Sequence, residues 1–146
     1  MDVSALATAR RYATREGASM DTGSALSPVH SARVLIAENS FLVAELVRSH
    51  LERHGAVVVA SVGSQVEALA AASSFKLDAA VLDLEMRDGG VLGVADRLIA
   101  KGVGLVFLRG TGTVFLPPAY ASIPVLEKPR GLADLISVLG RVIKKP

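Results

Sequence analysis

Five polar side chains follow short apolar runs along the chain, and their types suit the transfer of a charged group. These residues are Glu38, Asn39, Asp83, Arg109 and Lys128. Carboxylate and amide oxygens are hard ligands for Mg²⁺, which takes only one or two protein carboxylates and keeps several waters. An aspartate can act as a nucleophile, and a lysine ammonium can neutralise an anion beside it. The set therefore predicts phosphoryl transfer onto Asp83 as candidate chemistry, although any one of these residues alone could simply be the polar end of a strand.

The five residues come at the ends of strands in a predicted alternation of strands and helices. Short aliphatic and β-branched runs predict strands over 33–37, 56–60, 79–82, 104–108 and 124–126. Amphipathic segments bounded by Ser, Gly or turn residues predict helices over 41–54, 65–74, 91–101 and 132–143. Pro117 and Pro118 leave room for about one helical turn between the last two strands.

This alternation predicts an α/β fold with a five-stranded parallel sheet covered by helices on both faces. The length favours the flavodoxin-like strand order 2-1-3-4-5, with the fourth helix short or missing. Ligands of such sheets bind beyond the carboxyl ends of the strands, where the strand order reverses. We therefore expect the five polar residues to meet in one crevice.

Composition limits the classes of function. The chain has 146 residues, 51% hydrophobic and 21% charged, which predicts one domain. Apolar runs fall short of the roughly 18 residues of a membrane span, and a net charge of +2 without a basic stripe does not indicate nucleic-acid binding. The absence of Cys excludes disulfides and thiolate chemistry. These features predict a cytoplasmic protein without DNA or membrane partners.

The N-terminal part of the chain differs in composition from the rest. Residues 1–31 are rich in Ala, Ser, Thr, Gly and Arg, which predicts a flexible extension before a domain over 32–146. A helix over 4–15 and a linker over 17–28 are expected within it, and Met20 is an alternative translation start.

Three segments resemble the receiver domain of bacterial two-component response regulators, over essentially all of residues 32–145. They are Val34-Leu-Ile-Ala-Glu-Asn39, Leu77-Asp-Ala-Ala-Val-Leu-Asp-Leu-Glu-Met86 and Pro124-Val-Leu-Glu-Lys-Pro129, in family order and spacing. Residues 107–117 also resemble a subgroup of short stand-alone receivers.

The resemblance implies that Asp83 accepts a phosphoryl group from a histidine kinase or a phosphotransfer protein. It implies Mg²⁺ bound by Glu38, Asn39, Asp83 and the backbone carbonyl of Glu85. It also implies that Lys128 pairs with the phosphoryl group or with Asp83, and that a cis peptide bond precedes Pro129. The domain would be a phospho-accepting signalling protein rather than a turnover enzyme.

The sequence departs from the family pattern at three positions. Asn39 stands where receivers carry a second acid, so Mg²⁺ affinity should fall. Arg109 replaces the usual Thr or Ser, and Val125 replaces an aromatic residue. A permanent pair between Arg109 and Asp83 would mimic a bound cation. The alternative is therefore a degenerate receiver that acts as a protein-binding module without phosphorylation.

Output is expected through contact with a downstream protein partner, and a homodimer through the last helix and strand is a further expectation. A small hydrolase using Asp83 is a third alternative. His50 and His54 lie one helical turn apart, which indicates surface residues rather than a metal site. The signalling interpretation requires that Glu38, Asp83 and Lys128 share one pocket, and that the acceptor is reachable from solvent.

Overall fold

The central sheet has the predicted topology. The computed structural model describes residues 26–112 and 115–143. These contain five strands: β1 (Arg33–Ala37), β2 (Val57–Val62), β3 (Ala79–Asp83), β4 (Gly104–Arg109) and β5 (Val125–Glu127). All neighbours pair in parallel in the order β2-β1-β3-β4-β5. The flavodoxin-like prediction is confirmed.

The described ranges also contain four α-helices that connect or follow the strands: α1 (Phe41–Arg53), α2 (Gln65–Ser74), α3 (Leu92–Ala100) and α4 (Leu135–Val142). Between β4 and β5, the described residues contain only a single 3₁₀ turn, Pro118–Tyr120, which confirms that the fourth crossover helix is reduced. The predicted last helix begins as a second 3₁₀ helix, Arg130–Asp134, and becomes α-helical only at Leu135.

Most predicted boundaries differ from the observed ones by at most two residues, and among the strands β2 differs most. The sequence predicts it over 56–60, but it runs from Val57 to Val62. Ser61 pairs with Ile36, and Val62 pairs with Ala37 on β1. Pairing with a neighbouring strand therefore carries β2 past the point where its own β-branched run ends.

The two faces of the sheet bury separate apolar clusters. Alternate residues of β1 point in opposite directions, so Val34 and Ile36 pack on α1 and α4, whereas Leu35 and Ala37 pack on α2 and α3. Both faces of the sheet are thus covered. The five polar residues that the sequence singled out lie outside both clusters, at the ends of the strands.

Packing begins before the predicted domain boundary at residue 32. Val29 is fully buried in the cluster beneath α1 and α4, and the Ser31 amide donates to the Gly55 carbonyl oxygen at 2.7 Å. The helix expected over 4–15 and Met20 lie outside the described residues. No helix in the described ranges is long and apolar enough to span a bilayer.

Candidate functional site

The ammonium of Lys128 lies between two carboxylates at the carboxyl edge of the sheet. Its Nζ is 3.1 Å from Glu38 Oε1 and 3.2 Å from Asp83 Oδ2. Glu38 follows β1, Asp83 ends β3, and β1 and β3 are neighbours. The structure therefore brings together three of the side chains that the sequence singled out.

Lys128 reaches this position from the far side of β4. Its backbone N–H donates to the Arg109 carbonyl oxygen at 2.8 Å, which extends the β4–β5 pairing beyond β5. The Lys128–Pro129 peptide bond is cis, as the resemblance implied. The long lysine stem then crosses the end of β4 to reach Asp83.

Backbone amides hold the two carboxylates in place. The Glu85 N–H donates to Asp83 Oδ1 at 2.9 Å, and the Asn39 N–H donates to Asp83 Oδ2 at 3.3 Å. The Ser40 N–H donates to Glu38 Oε2 at 2.7 Å. Ser40 is also the N-cap of α1, because its Oγ accepts from the Val43 N–H. The start of α1 and the position of Glu38 are therefore set by one residue.

The charges of the cluster shift the pKa values of its members. Burial, together with the Asp83 charge, raises the pKa of Glu38 above its ordinary 4.5, against the opposing effects of the Ser40 N–H and Lys128. Burial alone would lower the pKa of Lys128, but its hydrogen bond to Glu38 and the charges of Glu38 and Asp83 outweigh burial and raise it. One cation thus faces two acids in a site with little access to water.

The signalling interpretation expects an acceptor that solvent can reach, but Asp83 is enclosed. Its side chain is 1% exposed, against 15% for Lys128. Both of its oxygens already accept hydrogen bonds. In this conformation the acceptor is therefore closed to solvent, and a phosphoryl donor could reach it only after a neighbouring group moves.

The donor atoms at the site fit a magnesium ion. Asn39 Oδ1 is buried and has no hydrogen-bond partner among the described residues, an arrangement that a bound cation would satisfy. Two acids lie beside it, and both are oxygen donors. No group of three or more His, Cys, Asp or Glu side chains within residues 26–112 and 115–143 could hold a metal ion. The fit to a magnesium ion therefore rests on two carboxylates and one amide oxygen.

Arg109 does not occupy the position suggested for it. Within the part of the chain that the structure describes, Arg109 and Asp83 form no ion pair, and Lys128 takes the place beside Asp83 instead. The hypothesis of a permanent Arg109–Asp83 pair is therefore wrong. Arg109 ends β4 half-buried, and its backbone carbonyl, rather than its guanidinium, supports the site. Val125, at the start of β5, is partly buried against the cluster beneath α2 and α3.

Sequence reasoning missed two side chains of the loop that follows β3. The Glu85 carboxylate accepts the Gly110 N–H at 3.0 Å, whereas the sequence pointed only to the Glu85 carbonyl. The Asp88 carboxylate accepts the Gln65 and Val66 N–H groups at 2.8 and 3.2 Å. These hydrogen bonds, the one from Gln65 foremost, lower the pKa of Asp88. The glycines at 110 and 112 were the sequence signal for the Glu85 contact, because residues without a side chain let a carboxylate approach the backbone.

His50 and His54 lie on α1 with ring centroids 5.0 Å apart. The His54 ring bonds to the His50 carbonyl oxygen, and the His50 ring contacts Arg53. Both residues are half-buried rather than fully exposed.

Comparison with solved structures identifies the fold and the family. SdrG from Sphingomonas melonis Fr1, in a solution structure, is 29% identical and covers 77% of this chain and 98% of its own, with a TM-score of 0.66. SdrG from Pseudomonas melonis Fr1 in its BeF3-activated conformation is 30% identical and covers 75% of this chain and 97% of its own, with a TM-score of 0.60. The signal receiver domain of a modulated diguanylate cyclase from Desulfovibrio desulfuricans G20 is 25% identical and covers 77% of this chain and 93% of its own, with a TM-score of 0.68. No family model and no curated protein matches the chain.

The chain belongs to the receiver-domain family of response regulators. Its function accordingly lies in two-component signalling. Receiver domains are signalling domains that generally bind Mg²⁺ and interact with kinases or phosphotransfer proteins and with output partners.

Proposed function

We propose that Asp83 accepts a phosphoryl group from a histidine kinase or phosphotransfer protein, and that a protein partner reads the modified domain. The observation that carries the proposal is the Lys128 ammonium, within hydrogen-bond distance of both Asp83 and Glu38. A nucleophilic carboxylate beside a fixed cation is the arrangement that phosphoryl transfer needs, since positioning and charge neutralisation supply most of its catalysis.

In the proposed step, one Asp83 oxygen attacks the phosphorus of a phosphohistidine. A bond forms between the carboxylate oxygen and phosphorus as the phosphorus–nitrogen bond breaks. The electron pair of the broken bond stays with the leaving nitrogen, and the imidazole leaves as a neutral ring that carries the proton on its other nitrogen. Lys128 then faces the new phosphoryl group, whose charge it partly neutralises. Glu38 keeps the ammonium in place throughout, because it bonds Nζ through both of its oxygens, at 3.1 and 3.3 Å.

The residues that would hold Mg²⁺ are Glu38, Asn39, Asp83 and the carbonyl of Glu85. When bound, the ion supplies positive charge beside the acceptor. In its absence, this chain holds two buried acids against one ammonium. The buried Asn39 oxygen, which has no hydrogen-bond partner in the described part of the chain, is the strongest support for a cation at this position.

Labelling with acetyl phosphate tests the proposal. We expect the full chain, incubated with acetyl phosphate and Mg²⁺, to gain one phosphoryl group by intact mass spectrometry. Asp83→Asn should abolish the adduct, since an amide is not a nucleophile here. Asp134→Asn is the matched control, because Asp134 is exposed and makes no side-chain hydrogen bond as N-cap of α4.

The proposal would be contradicted if the wild-type protein stays unlabelled and Asp83→Asn leaves its partner binding unchanged. That result would favour the alternative, a degenerate receiver that binds a protein partner without phosphorylation. An adduct that persists in Asp83→Asn would assign the acceptor elsewhere. Continuous phosphate release from a small phosphomonoester would instead indicate a hydrolase.

The metal site leads to a separate prediction. Asn39→Asp should tighten Mg²⁺ binding about tenfold, because it replaces a neutral oxygen donor with a charged one. Isothermal titration of both proteins with MgCl₂ would measure the change. Gln65→Glu makes the same amide-to-acid change at the start of α2 and should leave Mg²⁺ affinity near the wild-type value. Equal affinities for wild type and Asn39→Asp would place the ion away from residue 39.

We also propose that residues 32–146 form the functional unit, together with the turn over 27–31 that packs on it. Among the described residues between β4 and β5, a single 3₁₀ turn covers that edge of the sheet less than a helix would. This edge, with α4 beside it, is the proposed surface for an output partner or a second copy.

A further inference from the structure

One side chain links the acceptor loop to the loop that follows β4. The Glu85 backbone N–H bonds Asp83 Oδ1 at 2.9 Å, while the Glu85 carboxylate accepts the Gly110 N–H at 3.0 Å. Residue 85 therefore touches the acceptor through its backbone and the neighbouring loop through its side chain. It is half-buried, in contrast to Asp83, and so lies on the solvent side of the site.

The glycines at 110 and 112 make this contact possible. A Cβ at Gly110 would lie 3.1 Å from Glu85 Oε1, and a Cβ at Gly112 would lie 2.7 Å from Glu85 Oε2. A larger residue at 112 would push the carboxylate away. The Glu85 carboxylate thus packs directly against the backbone of residues 110–112.

The Glu85 carboxylate lies close to the stem of Lys128, the residue that would face a phosphoryl group on Asp83. The point where a Cβ of Gly110 would stand is 3.8 Å from Lys128 Cε as well as 3.1 Å from Glu85 Oε1. Gly110 follows Arg109, whose carbonyl accepts the Lys128 N–H. The Gly110 amide and the Lys128 stem are therefore close together, and Glu85 occupies an amide donor that could otherwise serve an anion beside Lys128.

We propose that Glu85 is a built-in anionic competitor that closes the phosphoryl position and must release Gly110 before Asp83 can hold a phosphoryl group. A phosphoryl group adds about 1.5 to 2 negative charges, which a carboxylate at this position repels. Glu85 is thus a positioning residue that lowers phosphoryl occupancy at rest. Its release couples the state of Asp83 to residues 110–112. This inference rests on the proposed phosphorylation of Asp83.

Titration with beryllofluoride, a phosphoryl mimic, tests the competitor on the full chain in MgCl₂, followed by amide NMR. Glu85→Gln keeps an oxygen for the Gly110 N–H but removes the charge, and Glu85→Ala removes both. We expect both variants to lower the half-saturating beryllofluoride concentration at least about fivefold. Glu127→Gln, an exposed acid next to Lys128, is the control for net charge and should behave as wild type.

A second measurement needs neither metal nor mimic. The Gly110 amide proton should resonate downfield in the wild type, because it bonds to a carboxylate, and should move upfield in Glu85→Ala. Gly112→Ala should shift it in the same way by displacing the carboxylate. A Gly110 amide that is unchanged in both variants would overturn the contact and the inference.

The two proposals fail differently. If the wild type binds beryllofluoride and Glu85→Gln binds it no better, the competitor is overturned while phosphorylation of Asp83 stands. The competitor is likewise overturned if Glu127→Gln gains as much as Glu85→Gln. If neither the wild type nor any Glu85 variant responds to beryllofluoride or acetyl phosphate, the proposed function fails, and the competitor fails with it.

Discussion

Replacing Lys128 with methionine is expected to lower the free energy of unfolding of the metal-free protein by about 3 kcal/mol. Methionine keeps much of the apolar stem but removes the ammonium that faces Glu38 and Asp83. The two acid side chains are 0% and 1% exposed, so solvent cannot replace the lost cation. Urea unfolding at neutral pH, without divalent ions, measures the change.

Two further variants show whether the uncompensated acids cause this loss. Adding Glu38→Gln to Lys128→Met should recover part of the stability, because one buried charge is removed along with its partner. Lys76→Met removes an exposed lysine whose side chain lies outside this cluster, and should change stability by less than about 0.5 kcal/mol. A Lys128→Met protein as stable as Lys76→Met would contradict the buried ion cluster.

Gly104→Ala is expected to destabilise the fold by about 2 to 3 kcal/mol. Gly104 begins β4, and a Cβ there would overlap the backbone carbonyl of Val142 and lie 3.1 Å from the Ile143 nitrogen. Backbone atoms cannot turn aside as a side chain can, so β4 or the end of α4 must shift. Thermal unfolding followed by circular dichroism would show a lowered midpoint.

Gly93→Ala is the matched control for this effect. Gly93 lies in α3, and a Cβ there meets no atom within 4 Å. Alanine should therefore stabilise the helix by about 0.5 to 1 kcal/mol, since it restricts the unfolded chain. Opposite signs for the two glycine-to-alanine changes are the expected result. A neutral Gly104→Ala would show that α4 does not end against β4 as described.

Local patterns predict the fold because each strand and cap carries its own signal. Ser40 and Ser64 are predicted N-caps, and each accepts the expected hydrogen bond from the amide three residues on. Pro117 and Pro118 correctly predict a reduced fourth helix. The N-terminal turn is not predicted, because nothing local to Val29 shows that it packs beneath α1 and α4.

The candidate site is predictable in its members but not in its contacts. Strand order alone places Glu38 beside Asp83, and it also brings Lys128 within reach. The sequence offers both Arg109 and Lys128 as cations for Asp83, and only the structure shows that Lys128 takes this place. The assigned roles of these residues stay predictions until labelling and metal binding are measured.

Taken alone, the order of residues determined which elements form, how the strands alternate with the helices, and which polar groups end the strands. These follow from neighbours a few positions apart, through hydrophobic periodicity and capping. Only the tertiary structure decided that Asp83 is enclosed, that Asn39 has a buried oxygen without a partner among the described residues, and that Glu85 is seated on Gly110. Such contacts join residues from separate loops, and they depend on distances that exist only once the sheet has brought those loops together.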